Sequence, residues 1–169
     1  QGLGYYARAR NLHKCARVVA DEFEGRFPES EDALIKLPGI GPYTAAAVAA
    51  IAFDLKTVPV DGNIERVISR LYAIKEPLPG SKPRIKKLVS AALERERPGD
   101  FAQALMDLGA TVCTPRSPLC VTCPVSNVCD GYKLGNAAQF PKKAPKKPKP
   151  TRRGVVFWVV RGDGAVLIR

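Results

Sequence analysis

The chain has 169 residues, 46% of them hydrophobic and 25% charged, with a net charge of +11. That balance supports a buried core and excludes a wholly disordered protein. No apolar run approaches the ~20 residues that a membrane-spanning helix needs, so no membrane partner is expected.

The basicity is unevenly placed. Seven Lys or Arg and no acid fall between Pro141 and Arg153, so most of the net charge is one short segment. Composition alone reads it as a solvated linker as readily as a nucleic-acid contact. The sequence opens QGLGYYARAR, with no initiator methionine, apolar signal core or cleavage site. It reads as an intracellular, cytoplasmic protein whose true N-terminus lies upstream.

In chain order, residues 5–23 place apolar side chains at helical spacing, with no breaker before Gly25. Ser30 has the character of an N-cap, with Glu31 and Asp32 in the first turn of a short helix ending near Leu37. Pro38-Gly39-Ile40-Gly41 is a tight connection, and Pro42 opens the next helix, expected over residues 42–53. Residues 57–60 read as extended. Asp61-Gly62-Asn63 is a turn feeding a helix whose apolar stripe is Ile64, Val67, Ile68 and Leu71. Residues 85–95 and 100–109 read as amphipathic helices. After a Pro/Lys segment, residues 155–160 and 165–168 read as two strands around a Gly162-Asp163-Gly164 turn. A hairpin is marginal alone, so this end too is expected to be cut.

Four of the five cysteines lie within seventeen residues, as Cys113, Cys120, Cys123 and Cys129, with six, two and five residues between them. Disulfides are a poor explanation without a secretory signal. Structural zinc sites usually pair two short Cys-x2–4-Cys units; only one such unit exists here. Four thiolates in one compact loop suit a larger object, a 4Fe–4S cubane, with zinc as the rival reading. Cys15, far away on a helical pattern, reads as a small buried apolar residue.

The Leu37-Pro38-Gly39-Ile40-Gly41 run has a physical use. Glycines let the backbone approach another surface, and the following helix offers free N–H groups and a positive dipole end to an anion such as a DNA phosphate. Equally, it is an ordinary helical hairpin whose glycines relieve sterics. Asp61 is ambiguous in the same way, because an Asp-Gly turn before a helix is usually a cap.

The constellation is more specific than its parts. GLGYYARARNL (2–12), LPGIGPYTA (37–45), VDGNIERVISR (60–70), MDLGATVC (106–113) and the cysteine spacing together resemble the adenine-specific mismatch glycosylases of base-excision repair (MutY family). That family lies within the endonuclease III superfamily of helix-hairpin-helix enzymes. The segment after the linker is similar to the start of the family's C-terminal Nudix-like α/β domain, which recognises 8-oxoguanine.

The resemblance implies a mostly α fold in four parts. Residues 1–112 form a helical glycosylase domain, with the helix-hairpin-helix at 30–53 and its N-terminal part missing. Residues 113–130 form the iron–sulfur loop, 131–153 a linker, and 154–169 the truncated Nudix-like start. It also implies roles: Asp61 as catalytic carboxylate, Asn63 as its hydrogen-bonding neighbour, and Tyr43 beside the cleaved sugar. Gly39 and Gly41, with Leu37 and Ile40, would hold a DNA phosphate, with a monovalent cation on hairpin carbonyls. Leu3 and Tyr5 would sit in the duplex near 8-oxoguanine. Cys113, Cys120, Cys123 and Cys129 would ligate one 4Fe–4S cluster.

The implied substrate is duplex DNA with adenine opposite 8-oxoguanine or guanine, bound by a monomer. In the family a second carboxylate, the acid that protonates adenine, lies on a helix before GLGYYARAR. These 169 residues then hold half of the catalytic pair and are expected to be inactive alone. Two other readings compete. An endonuclease III-like glycosylase/lyase on oxidised pyrimidines needs an amine for its Schiff base, and Tyr43 stands where that branch has lysine, which favours a monofunctional glycosylase. A non-catalytic DNA-binding module with a structural metal would use the same hairpin, cysteines and basic segment.

Overall fold

A computed structural model describes residues 5–93, 96–145, 150, 151, 153–155 and 157–167. The mostly helical expectation holds, and the helices follow from local signals. Helix α1 (Tyr6–Glu22) buries one narrow stripe, Cys15 and Val19, and exposes most of its remaining surface. Helix α2 (Glu31–Leu34) is capped as expected: Ser30 Oγ accepts from the Ala33 N–H at 3.3 Å. It is a single turn, because Pro38 disfavours helical geometry at Leu37. The chain reaches Leu37 through turns closed by Lys36 N–H to Ala33 and Leu37 N–H to Leu34.

Pro42 opens α3 (Pro42–Phe53), whose Ala45, Ala46, Ala49 and Ala50 are all buried. Small side chains on several faces let α3 pack against both α2 and a later helix, α6 (Pro98–Asp107). Between them come α4 (Gly62–Leu71) and α5 (Lys82–Ala92). Helices α5 and α6 begin two or three residues earlier than their apolar patterns, because Pro83 and Pro98 suit a first helical turn. Residues 57–60 carry no regular structure.

Two hydrophobic clusters result. One joins Cys15, Val19, Leu34, Leu37, Ala45 and Ala49 beneath the hairpin. The other joins Ile64, Ile68, Ile74, Ile85 and Val89 around α4 and α5. Each Ile or Val fully buried here stabilises by about 1.5–3 kcal/mol relative to exposure.

Helix α6 runs on into a π-helical turn, Leu108–Val112, that leads into the cysteines. Two 3-10 turns, Cys120–Thr122 and Ser126–Val128, then lead to α7 (Asp130–Lys133), which packs on α4. Beyond it the chain stays attached to the body. Phe140 is buried. The Leu78 N–H donates to the Lys142 carbonyl at 2.8 Å and the Ala144 N–H to the Leu78 carbonyl at 3.1 Å. The first residues of the Pro/Lys-rich segment thus run along the α4–α5 loop.

The two expected strands are not formed among the described residues. One antiparallel bridge, Val160 to Val166, flanks the expected turn, with the Arg161 N–H donating to Ala165 at 2.8 Å and the Leu167 N–H to Val159 at 3.0 Å. Val155, Phe157 and Trp158 are exposed, Trp158 at 76%. Two segments with no third element to bury their apolar face do not sustain a ladder. Among the described residues, no helix is long and apolar enough to cross a membrane.

Candidate functional site

The hairpin separates its two glycines by role. Gly39 has φ +80°, and a Cβ there would lie 2.7 Å from Asn11 Cβ on α1. Both the backbone and the packing of α1 require glycine at this position. Gly41 has an ordinary φ of −91°, and a Cβ there would meet nothing within 4 Å. Its missing side chain instead leaves the start of α3 open to an approaching surface. No side chain caps α3, so its first N–H groups and positive end are available to an anion.

Leu37 is 3% exposed and belongs to the core, and the half-buried Ile40 packs on the same cluster. These two side chains anchor the hairpin from below, so a DNA contact there would be made by backbone. Tyr5 is exposed at the start of α1, with the Arg8 guanidinium 5.5 Å from its ring centroid. Leu3 lies outside the described residues.

Asp61 is the N-cap of α4, and more besides. Its Oδ1 accepts from the Ile64 N–H at 2.8 Å, and its Oδ2 accepts from Asn63 Nδ2 at 3.0 Å. Asn63 Oδ1 in turn accepts from Arg66 Nη2 at 2.9 Å. Arginine only donates, so this bond sets which end of the Asn63 amide faces Asp61. Arg66 is itself held by the carbonyls of Cys113 (Nε, 2.7 Å), Gly109 (Nη2, 2.5 Å) and Gly62 (Nη1, 3.3 Å). Burial and the neighbouring Arg70 lower its pKa, while Cys113 and Asp61 raise it. The carboxylate therefore sits at the head of a rigid chain, facing a cleft lined also by Asn63, Glu65, Arg66, Phe140 and Lys143.

Tyr43, in the first turn of α3, donates its hydroxyl to Met106 Sδ at 3.7 Å. Burial, then the negative charge of Asp61, raises the phenol's pKa, so it stays protonated at neutral pH. Near Tyr43, Glu65 Oε1 and Lys82 Nζ pair at 2.7 Å, and Glu31 and Lys86 line the same hollow.

The four cysteines line one small cavity together with Val67, Leu71, Leu108 and Val112. Among the described residues, no three His, Cys, Asp or Glu side chains meet where a single metal ion would be held. Four cysteines are the ligand set of a 4Fe–4S cubane, which spreads its thiolates over four irons. Burial, then the charges of Cys113, Cys129 and Cys123, pushes the Cys120 thiol up. Cys15, by contrast, is buried in the apolar core, as expected.

Arg66, Arg70, Met106 and Gly109 did not stand out in the sequence as parts of this site. A signal was present for Arg70: its position on α4 falls on the buried side, where a cation needs a reason.

Comparison with known proteins agrees with this geometry. Residues 22–51 match the helix-hairpin-helix motif, and residues 113–129 match the iron-sulfur binding domain of endonuclease III. The chain is 46% identical over 147 residues to the adenine DNA glycosylase of Mus musculus, covering 82% of this chain and 28% of that protein. The structure of a thermostable thymine-DNA glycosylase superposes with a TM-score of 0.69 at 37% identity, covering 79% of this chain and 61% of that one. A trapped endonuclease III–DNA covalent intermediate gives 0.65 at 30%, covering 79% and 62%. The chain is thus similar to adenine DNA glycosylases while spanning less than half of the length of these curated relatives, and its four-cysteine loop is a 4Fe–4S site.

Proposed function

We propose that this chain acts in base-excision repair, hydrolysing the N-glycosidic bond of adenine opposite 8-oxoguanine or guanine in duplex DNA. The observation that carries the reading is Asp61, fixed at both oxygens and facing an open cleft. An adenine must leave the stack before its glycosidic bond can be reached. As the bond breaks, the sugar becomes oxocarbenium-like. A carboxylate already in place stabilises charge that appears only in the transition state, an effect worth about 3–4 kcal/mol. Asn63 positions that carboxylate, and Tyr43 presents a neutral phenol beside it.

Gly41 and the open start of α3 take a DNA phosphate, with a monovalent cation on hairpin carbonyls, and the protein acts as a monomer. Tyr5, exposed at the start of α1, lies toward the duplex, and residues 154–169 belong to the part that reads 8-oxoguanine. A lyase is disfavoured because Tyr43, standing where that branch has lysine, offers no amine.

The test is single-turnover release of adenine from such a duplex by the complete protein that contains these 169 residues, with and without Asp61→Asn. Asparagine caps a helix as well as aspartate does, so the variant should fold and bind. It should release base at least a hundredfold more slowly, about 2.7 kcal/mol. Release at the parental rate would reduce Asp61 to a cap.

A further inference from the structure

Arg70 is 1% exposed, the largest of the fully buried side chains, and it makes no ion pair among the described residues. Its Nε donates to the Phe140 carbonyl at 3.0 Å and its Nη2 to the Pro115 carbonyl at 3.0 Å. Its Nη1 donates to the carbonyls of Cys113 (3.2 Å) and Thr114 (2.7 Å). Carbonyl dipoles solvate a cation but bring no opposite charge, and a buried ion without one is strongly disfavoured. The remaining contact is of another kind: Nη1 lies 3.3 Å from Cys113 Sγ, and Arg70 lines the cavity that all four cysteines ring.

We propose that Arg70 is the internal countercharge of the iron–sulfur cluster, donating an N–H to its Cys113 ligand and raising its reduction potential. Four thiolates around a cubane make a net anion in a largely apolar shell. Net charge, hydrogen bonds to sulfur and burial are the levers that set such a potential. A fixed guanidinium supplies two of them at one atom. It favours the more negative, reduced state and so protects the cluster from oxidation. The same side chain ties residues 113–115 to the Phe140 carbonyl, joining the start of the cysteine loop to the segment after α7. The inference rests on the 4Fe–4S reading, which iron and sulfide analysis of the same samples checks separately.

The experiment compares the parent with Arg70→Gln and Arg70→Lys by electrochemistry on anaerobically prepared protein. Arg70→Gln removes the charge and should raise the ratio of oxidised to reduced cluster at fixed potential at least tenfold, about 59 mV for a one-electron couple. Arg70→Lys keeps the charge and should stay near the parent, although it loses carbonyl contacts. A fully loaded Arg70→Gln protein at the parental potential would overturn the proposal. So would Gln and Lys variants shifted equally, because Arg70 would then be only a clamp. Should neither variant hold iron, the parent decides. With arginine labelled in its guanidinium by nitrogen-15, the paramagnetic cluster should show a hyperfine-coupled nitrogen, and its absence would refute the contact.

Discussion

A single methyl group at Gly109 tests whether Asp61 is positioned from behind. Gly109 lies in the π-helical turn after α6, pressed against the first turn of α4. A Cβ there would sit 2.6 Å from Asn63 Cβ, 3.1 Å from its Cα and 3.2 Å from its carbonyl carbon. Two of those atoms are backbone, so no rotamer change removes the clash. One element must move by roughly 1 Å to restore ordinary contact. Overpacking of this kind costs about 1–3 kcal/mol of stability. Asn63 is the atom group displaced, and it holds Asp61 at 3.0 Å. A misplacement of roughly 1 Å in a reacting geometry slows chemistry about a hundredfold. Gly109→Ala should therefore slow adenine release ten- to a hundredfold in single-turnover assays. Its iron content and duplex affinity should stay near parental, because the cysteine ring and hairpin use other atoms. Gly62→Ala is the control: it adjoins Asp61, yet a Cβ there meets nothing within 4 Å. If Gly109→Ala folds and releases base within threefold of the parent, Asn63 does not position the carboxylate.

The hairpin glycines should part company. Gly39→Ala should lower the melting temperature, because left-handed backbone costs about 1–2 kcal/mol in a residue with a side chain and Asn11 blocks the Cβ. Gly41→Ala should melt like the parent but bind duplex DNA more weakly; equal binding would remove the phosphate from that position. Glu65→Gln should release adenine within about threefold of the parent, since Lys82 already engages that carboxylate; a hundredfold loss would make Glu65 the acid. Anaerobically prepared protein should carry about four irons and four labile sulfides per chain, and stoichiometric zinc without iron would reverse the cofactor assignment.

What could be read ahead of the structure was local. Ser30, Pro42 and Asp61 announce helix starts because a cap acts within three residues, and the stripe of Ile64, Val67 and Ile68 announces a buried face through its period. The network that holds Asp61 is not local. Arg66 reaches the Cys113 carbonyl across 47 positions and Gly109 across 43, and no periodicity encodes such a meeting. Leu37 shows the opposite limit. It stands inside the hairpin motif, yet its apolar side chain belongs to the core. The pattern at residues 155–168 was legible as strand, but a strand needs neighbours, and the described residues supply one bridge.

Helix α4 explains why these distant parts meet. Asp61 stands at its N-terminal end, where the helix dipole favours negative charge, and Arg70 lies in its last turn, where it favours positive charge. Ten residues at about 1.5 Å each make this helix roughly 15 Å long. Cys113 meets the helix at two levels, its carbonyl accepting from Arg66 at 2.7 Å and from Arg70 at 3.2 Å. The loop is therefore fastened to the same rod that carries the carboxylate. Arg66 joins the two, since it holds Cys113 on one side and Asn63 on the other. A loop that loosened would release Arg66 from its carbonyl and leave Asn63 free to turn its amide away from Asp61. The cysteine loop thus holds by geometry: it fixes the far end of the helix whose near end carries Asp61.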